Sequence, residues 1–165
     1  MQQSLSYYIV MGVLKLKGIK KTFSQTPIDY KKVRKEDVHH PPKSLLKKFD
    51  VQQLKVANTQ ISCVQSKTPS SDLLIFIHGG AFISGPAPHH WDVVKEICTQ
   101  TNATVWLCNY PKAPENDIIE ISSNIDAVYK AALEKYAAKN IQLIGDSVGG
   151  TLVSTLTQRL ISNQT

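Results

Sequence analysis

The stretch Ile141-Gln-Leu-Ile-Gly-Asp-Ser-Val-Gly-Gly150 constrains this chain more than any other. A short apolar run gives way at Gly145-Asp146-Ser147-Val148-Gly149 to helix-capable residues, so strand, tight turn and helix follow one another without a linker. Glycines two residues before and two after Ser147 remove the side chains that would obstruct such a corner. Two readings of Ser147 stand side by side. It is a turn serine capping the next helix, or a nucleophile raised above a sheet by a Gly-x-Ser-x-Gly elbow.

The rest of the chain supplies the sheet that an elbow needs. Leu73–Ile77, Thr104–Cys108 and Ile141–Ile144 are nearly continuous apolar runs, as in strands buried on both faces. Helical periodicity separates and follows them. Residues 92–101 place Val93, Val94 and Ile97 on one side, and residues 117–138 align Ile118, Ile121, Ile125, Val128, Ala132 and Tyr136. Residues 147–162 repeat Leu152, Leu156 and Leu160. This alternation predicts an α/β fold with a mainly parallel sheet and helices on both faces. Between Phe49 and Ser66, alternating apolar and polar residues around Asn58 predict an antiparallel strand pair. Upstream, a helix is expected over residues 5–21, packed on its own domain and weakened by Gly12 and Gly18. A short helix or irregular arm follows over 28–38, then a break at His39-His40-Pro41-Pro42 and a helical turn over 44–49. The expected division is a basic N-terminal arm over 1–48 and a core over 49–165.

Charge and composition narrow the function classes. A chain of 165 residues holds one sizeable core. Residues 1–55 carry 12 Lys/Arg against 4 Asp/Glu, and the remainder 7 against 9. The basic arm has apolar residues at helical spacing and no nucleic-acid fold signature, so no nucleic-acid partner is expected. Tyr7–Leu14 is too short to span a bilayer. Lys15, Lys17, Lys20 and Lys21 beside it allow at most a peripheral membrane contact. Cys63, Cys98 and Cys108 have neither an even count nor paired-ligand spacing. They read as buried thiols in a reducing, cytoplasmic compartment. Adjacent His39 and His40 lack further spaced ligands, so no metal is expected, and no phosphate- or nicotinamide-binding signature implies a cofactor.

A second segment favours the nucleophile reading. His78-Gly79-Gly80-Ala81-Phe82 ends the strand 73–77, and its small residues let the backbone turn and aim N–H groups into a site. Ser147 Oγ would attack an acyl carbonyl, and the N–H groups of Val148, Gly80 and Ala81, joined by Gly79, would receive the oxyanion. One such donor is worth roughly 3–4 kcal/mol in the transition state. Phe82, Ile83, His89, His90 and Trp91 are candidates for a substrate pocket, with Trp91 equally suited to the core.

Three segments together resemble the hormone-sensitive-lipase-like branch of the α/β-hydrolase fold. His78-Gly79-Gly80-Ala81-Phe82 is similar to its HGGG oxyanion motif. Tyr110-Pro111-Lys112-Ala113-Pro114-Glu115 resembles its Tyr-Arg-Leu-Ala-Pro-Glu segment, and Gly145–Gly150 its Gly-Asp-Ser-x-Gly-Gly elbow. The resemblance covers roughly residues 50–165. It implies hydrolysis of carboxylic esters of small or medium acyl groups through an acyl-enzyme. It also implies supporting roles for His78, Tyr110, Glu115 and Asp146, with Asp146 part of the elbow and not the catalytic acid. Ala81 departs from the third glycine, which bears on loop shape, and Pro111 and Lys112 depart from Arg and Leu.

In this fold an Asp or Glu and then a His follow the nucleophile, yet Arg159 is the only ionisable side chain after Ser147. The resemblance therefore implies a catalytic Asp and His on sequence beyond residue 165. The expected partner is a C-terminal half of the same hydrolase, cleaved or separate, and the segment alone is expected to be inactive. The alternatives are a non-catalytic binding or interaction protein of the same fold and an amidase or deacetylase; a homo-oligomer is compatible with any of them.

Overall fold

A computed structural model describes residues 4–16, 18 and 24–162, which divide into two compact units, residues 1–35 and 36–165. In the smaller unit, α1 (Leu5–Leu16) contains no buried residue. Its apolar run is exposed, contrary to the expected packed helix, and residues 17 and 19–21 of the expected helix lie outside the described residues. A single helical turn, α2 (Tyr30–Val33), is capped by Asp29, whose carboxylate accepts the Lys32 N–H at 3.0 Å.

The packed core begins at Glu36, earlier than the expected edge at 49. The Asp37 carboxylate accepts the Gly85 N–H at 2.7 Å, and Val38 donates its N–H to Pro86 O at 2.7 Å. The short helix α3 (Lys43–Leu46) then buries Leu45, and Phe49 follows it into the core. These ties recruit a segment whose basic composition resembled an arm.

Five strands form one mixed sheet: β1 (Asp50–Val56), β2 (Thr59–Gln65), β3 (Leu73–Ile77), β4 (Thr104–Asn109) and β5 (Ile141–Gly145), in the order β1-β2-β4-β3-β5. The β1–β2–β4 pairings are antiparallel, and β4–β3–β5 are parallel. The register sets Ile77 beside both Cys108 and Gly145, so the β3 and β5 chains leave the sheet together.

Strand alternation sorts the core into two layers. Ile75, Ile77, Trp106 and Cys108 face α5 (Ile118–Leu133) and α6 (Val148–Ser162), through Ile121, Ile125, Val128, Leu152 and Leu156. Phe76, Val105 and Leu107 face α4 (Pro88–Thr101), through Trp91, Val94 and Cys98. The three cysteines are all buried and unpaired. Among the described residues no helix is long and apolar enough to cross a membrane.

Two helix starts and one end differ from the periodic reading. α4 begins at Pro88, four residues before Asp92, because proline is tolerated at the first helical position. The first turn is closed by the Ala87 N–H donating to His90 Nδ1 at 2.8 Å. α5 is capped by Asp117, which accepts the Glu120 N–H at 2.8 Å, and it ends at Leu133; Ile118 lies exposed in its first turn.

Trp91 lies in the α4 layer with 1% exposure, its indole N–H donating to Val38 O at 2.7 Å. It is core and not a wall of an open pocket. Replacing a buried Trp by Ala typically costs about 3–5 kcal/mol, so Trp91→Ala is expected to lower the urea midpoint of unfolding by a corresponding amount.

Candidate active site

The corner between β5 and α6 closes only because it carries glycine on both sides of Ser147. A Cβ on Gly149 would sit 2.0 Å from Ile77 O, and one on Gly145 would sit 2.4 Å from the Gly149 carbonyl. Asp146 donates its N–H to Ile77 O at 3.1 Å, pinning the corner to the end of β3, and Gly149 N–H returns to Asp146 O at 2.7 Å. Ser147 is held at φ 50°, a left-handed conformation that non-glycine residues rarely adopt. Its side chain is exposed, and none of the described residues hydrogen-bonds its Oγ.

The loop leaving β3 is braced from below. His78 is fully buried and stacks on Tyr110, with ring centroids 4.5 Å apart, while the Tyr110 hydroxyl donates to His78 O at 3.0 Å. Burial, reinforced by the charge of nearby Lys112, pushes the His78 imidazole down to about 3. The ring is therefore neutral, and its Nδ1–H donates to Gly79 O at 2.5 Å. Lys112 folds onto Asn109 Oδ1 and Tyr110 O, and Ala113 N–H donates to Phe82 O at 3.0 Å. The segment after β4 thus supports the loop after β3. Glu115 lies in an exposed turn of that segment.

Gly80, Ala81 and Phe82 take φ values of 122°, 53° and 63°, and the turn is closed by Ile83 and Ser84 N–H groups on Gly80 O, each at 3.0 Å. Ala81 therefore occupies a conformation that favours glycine, which is where the departure from a third glycine acts. Among the described residues no acceptor takes the N–H of Gly80 or Ala81. The N–H of Val148, first residue of α6, lies outside that helix's own ladder. The two segments touch: a Cβ on Gly79 would be 2.6 Å from Asp146 Oδ2 and 3.1 Å from Ser147 Cβ. The Gly79 backbone and the residues on either side of the Asp146–Ser147 peptide bond are therefore in direct contact, and the Gly79 N–H itself approaches His90 Nε2 at 3.3 Å.

The pocket candidates separate. Phe82 is half-buried against the α5–α6 layer, Ile83 is half-buried, and His89 is exposed at the start of α4. His90 instead points inward with 3% exposure, its Nε2 3.1 Å from Asp146 Oδ2. His89 Nε2 lies 4.0 Å from the same oxygen. One donor atom from each of His89, His90 and Asp146 falls within 4.8 Å, a spacing compatible with a metal ion. However, two backbone N–H groups approach the His90 ring, Ala87 at 2.8 Å from Nδ1 and Gly79 at 3.3 Å from Nε2; the closer takes the Nδ1 lone pair, which leaves the hydrogen on Nε2 and makes it a poor ligand in this arrangement. His90 was expected to line a substrate pocket and instead turns inward; the signal for that was a side chain able to accept at the third position of a helix opening with Pro88. A cavity of about 420 Å³ bordered by Thr155, Gln158, Arg159 and Ser162 lies along the distal half of α6, two or more helical turns from Ser147.

The folded chain refuses a proton on His78 until pH about 3, whereas the unfolded chain accepts one near 6.5. Stability from this group is complete above about 6.5 and declines as pH falls toward 3. Burial shifts His90 in the same direction. Urea unfolding between pH 7 and 5 is expected to show stability falling with pH, with a shallower slope in His78→Gln.

Comparison with known proteins agrees with this architecture. Residues 74–165 match the model of a family described as having the alpha/beta hydrolase fold. An esterase from Acinetobacter venetianus is 30% identical over 111 residues, covering 67% of this chain and 37% of that protein. A triacylglycerol lipase from Mycobacterium tuberculosis is 30% identical over 95 residues, covering 57% of this chain and 22% of that protein. The chain thus spans well under half the length of these relatives. The crystal structure of a hormone-sensitive lipase from a metagenome library superposes with a TM-score of 0.73 at 20% identity, covering 95% of this chain and 52% of that one, a likeness of fold. The matched segment takes in β3, the loop after it and the β5–α6 corner, and the chain belongs to the α/β-hydrolase fold family.

Proposed function

We propose that this chain is the nucleophile-bearing portion of a serine hydrolase that cleaves carboxylic esters of small or medium acyl groups. The observation that carries the reading is Ser147 at φ 50° on a strand-to-helix corner, with the Gly79 backbone in contact with that corner and the N–H groups of Gly80 and Ala81 taking no acceptor among the described residues. Ser147 Oγ attacks the ester carbonyl carbon, and the carbonyl oxygen becomes an oxyanion. The N–H groups of Gly80, Ala81 and Val148 receive that charge, aided by the positive end of α6, while the Gly79 N–H, also expected as a donor, is held 3.3 Å from His90 Nε2. Collapse of the intermediate expels the alcohol and leaves an acyl-serine, which water hydrolyses. His78, Tyr110 and the turn bearing Glu115 hold the loop; Asp146 holds the elbow.

The proton relay lies elsewhere. No histidine follows Ser147 in this chain, and His78 and His90 are buried and engaged in other hydrogen bonds. A general-base His and its orienting Asp come from a further portion of the hydrolase. That portion would also continue the sheet alongside β5, which pairs on one side only among the described strands. Three buried, unpaired thiols support a reducing cytoplasmic setting.

In the complete protein, a fluorophosphonate should add its mass to the peptide containing Ser147, and p-nitrophenyl acetate or butyrate should be hydrolysed. Ser147→Ala should abolish labelling and lower kcat by at least about 10³-fold. Labelling at another residue, or full activity in Ser147→Ala, would overturn the assignment. Residues 1–165 alone should show neither labelling nor turnover at an enzymatic rate.

A further inference from the structure

We propose that His90 is a positioning residue that sets the distance between the two oxyanion-donor segments by clamping the carboxylate of Asp146. This inference rests on the reading of Ser147 as the nucleophile. The hydrogen-bond chemistry of the imidazole is decided between two amides. A backbone N–H can only donate, and two approach the ring, Ala87 at 2.8 Å from Nδ1 and Gly79 at 3.3 Å from Nε2, so the closer Ala87 contact takes the lone pair. The neutral ring then carries its hydrogen on Nε2, directed at Asp146 Oδ2 at 3.1 Å. The first turn of α4 therefore selects the tautomer that Asp146 needs.

Asp146 is consequently gripped twice. Its N–H is bonded to Ile77 O, and its carboxylate is held by His90, so neither end of the residue preceding Ser147 turns freely. The same carboxylate fills the space where a Gly79 side chain would begin, with 2.6 Å to the ideal Cβ position. Moving the carboxylate would shift Ser147 through one peptide unit and release the Gly79 backbone from contact. One edge of the His90 ring fixes both partners of the proposed chemistry without touching substrate.

A purely space-filling histidine would make different demands. Its packing against Phe76 and His78, at ring centroid distances of 6.0 and 5.4 Å, could be satisfied by an apolar ring. The donor on Nε2 would then be dispensable. Burial and the neighbouring His89 charge lower the His90 pKa, which keeps the ring in the neutral form required by Ala87.

The test compares His90→Gln, His90→Phe and His90→Ala in the complete protein, reading melting temperature, fluorophosphonate labelling rate at Ser147, and kcat and KM for p-nitrophenyl butyrate. Glutamine can return an N–H near the position of Nε2; phenylalanine returns only volume. The expected result is a loss of about 10- to 100-fold in labelling rate and kcat for Phe and Ala, as sub-ångström misplacement produces, with KM changed little. Gln should recover most of it. In an Asp146→Asn background, His90→Phe should cost far less than in the wild type, because the two residues act as one unit.

Equal rates in Phe and wild type would overturn the proposal, as would a Gln variant no faster than Phe at equal melting temperature. Should the Ala or Phe variants fail to fold, a long-range ¹⁵N–¹H spectrum of the wild-type protein decides the point. A neutral His90 protonated at Nε2 supports the clamp, and protonation at Nδ1 overturns it. Absence of labelling in the wild-type protein would instead refute the hydrolase reading, while the tautomer measurement would still report on the clamp.

Discussion

The structure depends on a contact that no side chain can enter: the approach of the α6 backbone to the end of β3. Gly149 lies so close to Ile77 that a Cβ there would reach 2.0 Å from the carbonyl oxygen. That approach lets a parallel strand reverse into a helix without an intervening loop, and the helix start thereby comes to the sheet's carboxyl edge. Hard-core repulsion at this distance outweighs any gain from burying a methyl group, so glycine is dictated by geometry. The strained φ of Ser147 is the cost of the same turn, of order 1–3 kcal/mol, offset by the ladder between β3 and β5 and by the apolar layer under α6.

Around that corner, polar groups are assigned to donors and acceptors with little freedom. His78 gives its hydrogen to Gly79 O, Tyr110 gives its hydroxyl to His78 O, and His90 stands between Ala87 and Asp146. Both imidazoles are buried and shifted toward the neutral form. A neutral brace suits a site proposed to stabilise a developing negative charge with backbone amides, because preorganised N–H groups need no rearrangement as the charge appears. Among the described residues no acceptor takes the Gly80 or Ala81 amide, which leaves both open to the oxyanion proposed for them.

Much of the architecture was legible because burial on two faces leaves a mark in composition. β3 and β4 read as apolar runs and, like Leu152 and Leu156 of the α6 stripe, occupy the core; β5 read the same way but is only partly buried, because it pairs on one side only among the described strands. The start of α4 was not legible, since Pro86 and Pro88 resemble a loop until one sees that Pro88 takes the first helical position, where its missing N–H costs nothing. Ile118 matched the apolar stripe yet lies exposed, because the first turn of α5 extends past the layer it would have joined. The edge at Glu36 was hidden for a related reason: Asp37 and Val38 are held by Gly85, Pro86 and Trp91, partners about 50 residues away.

The sequence by itself determined the order of strands and helices, the corner at Ser147 and the small-residue loop at His78–Ala81, since periodicity and glycine placement act locally. Only the tertiary structure decided which side chains meet across that order. It turned His90 and Trp91 inward, where adjacency in sequence had made them pocket candidates, and it placed Asp146 against Gly79. The physical reason is that a histidine's role is set by which of its two nitrogens faces a donor and which an acceptor. Those partners, Ala87 on the helix start and Asp146 on the elbow, are brought together only when α4 packs beside the β5–α6 corner.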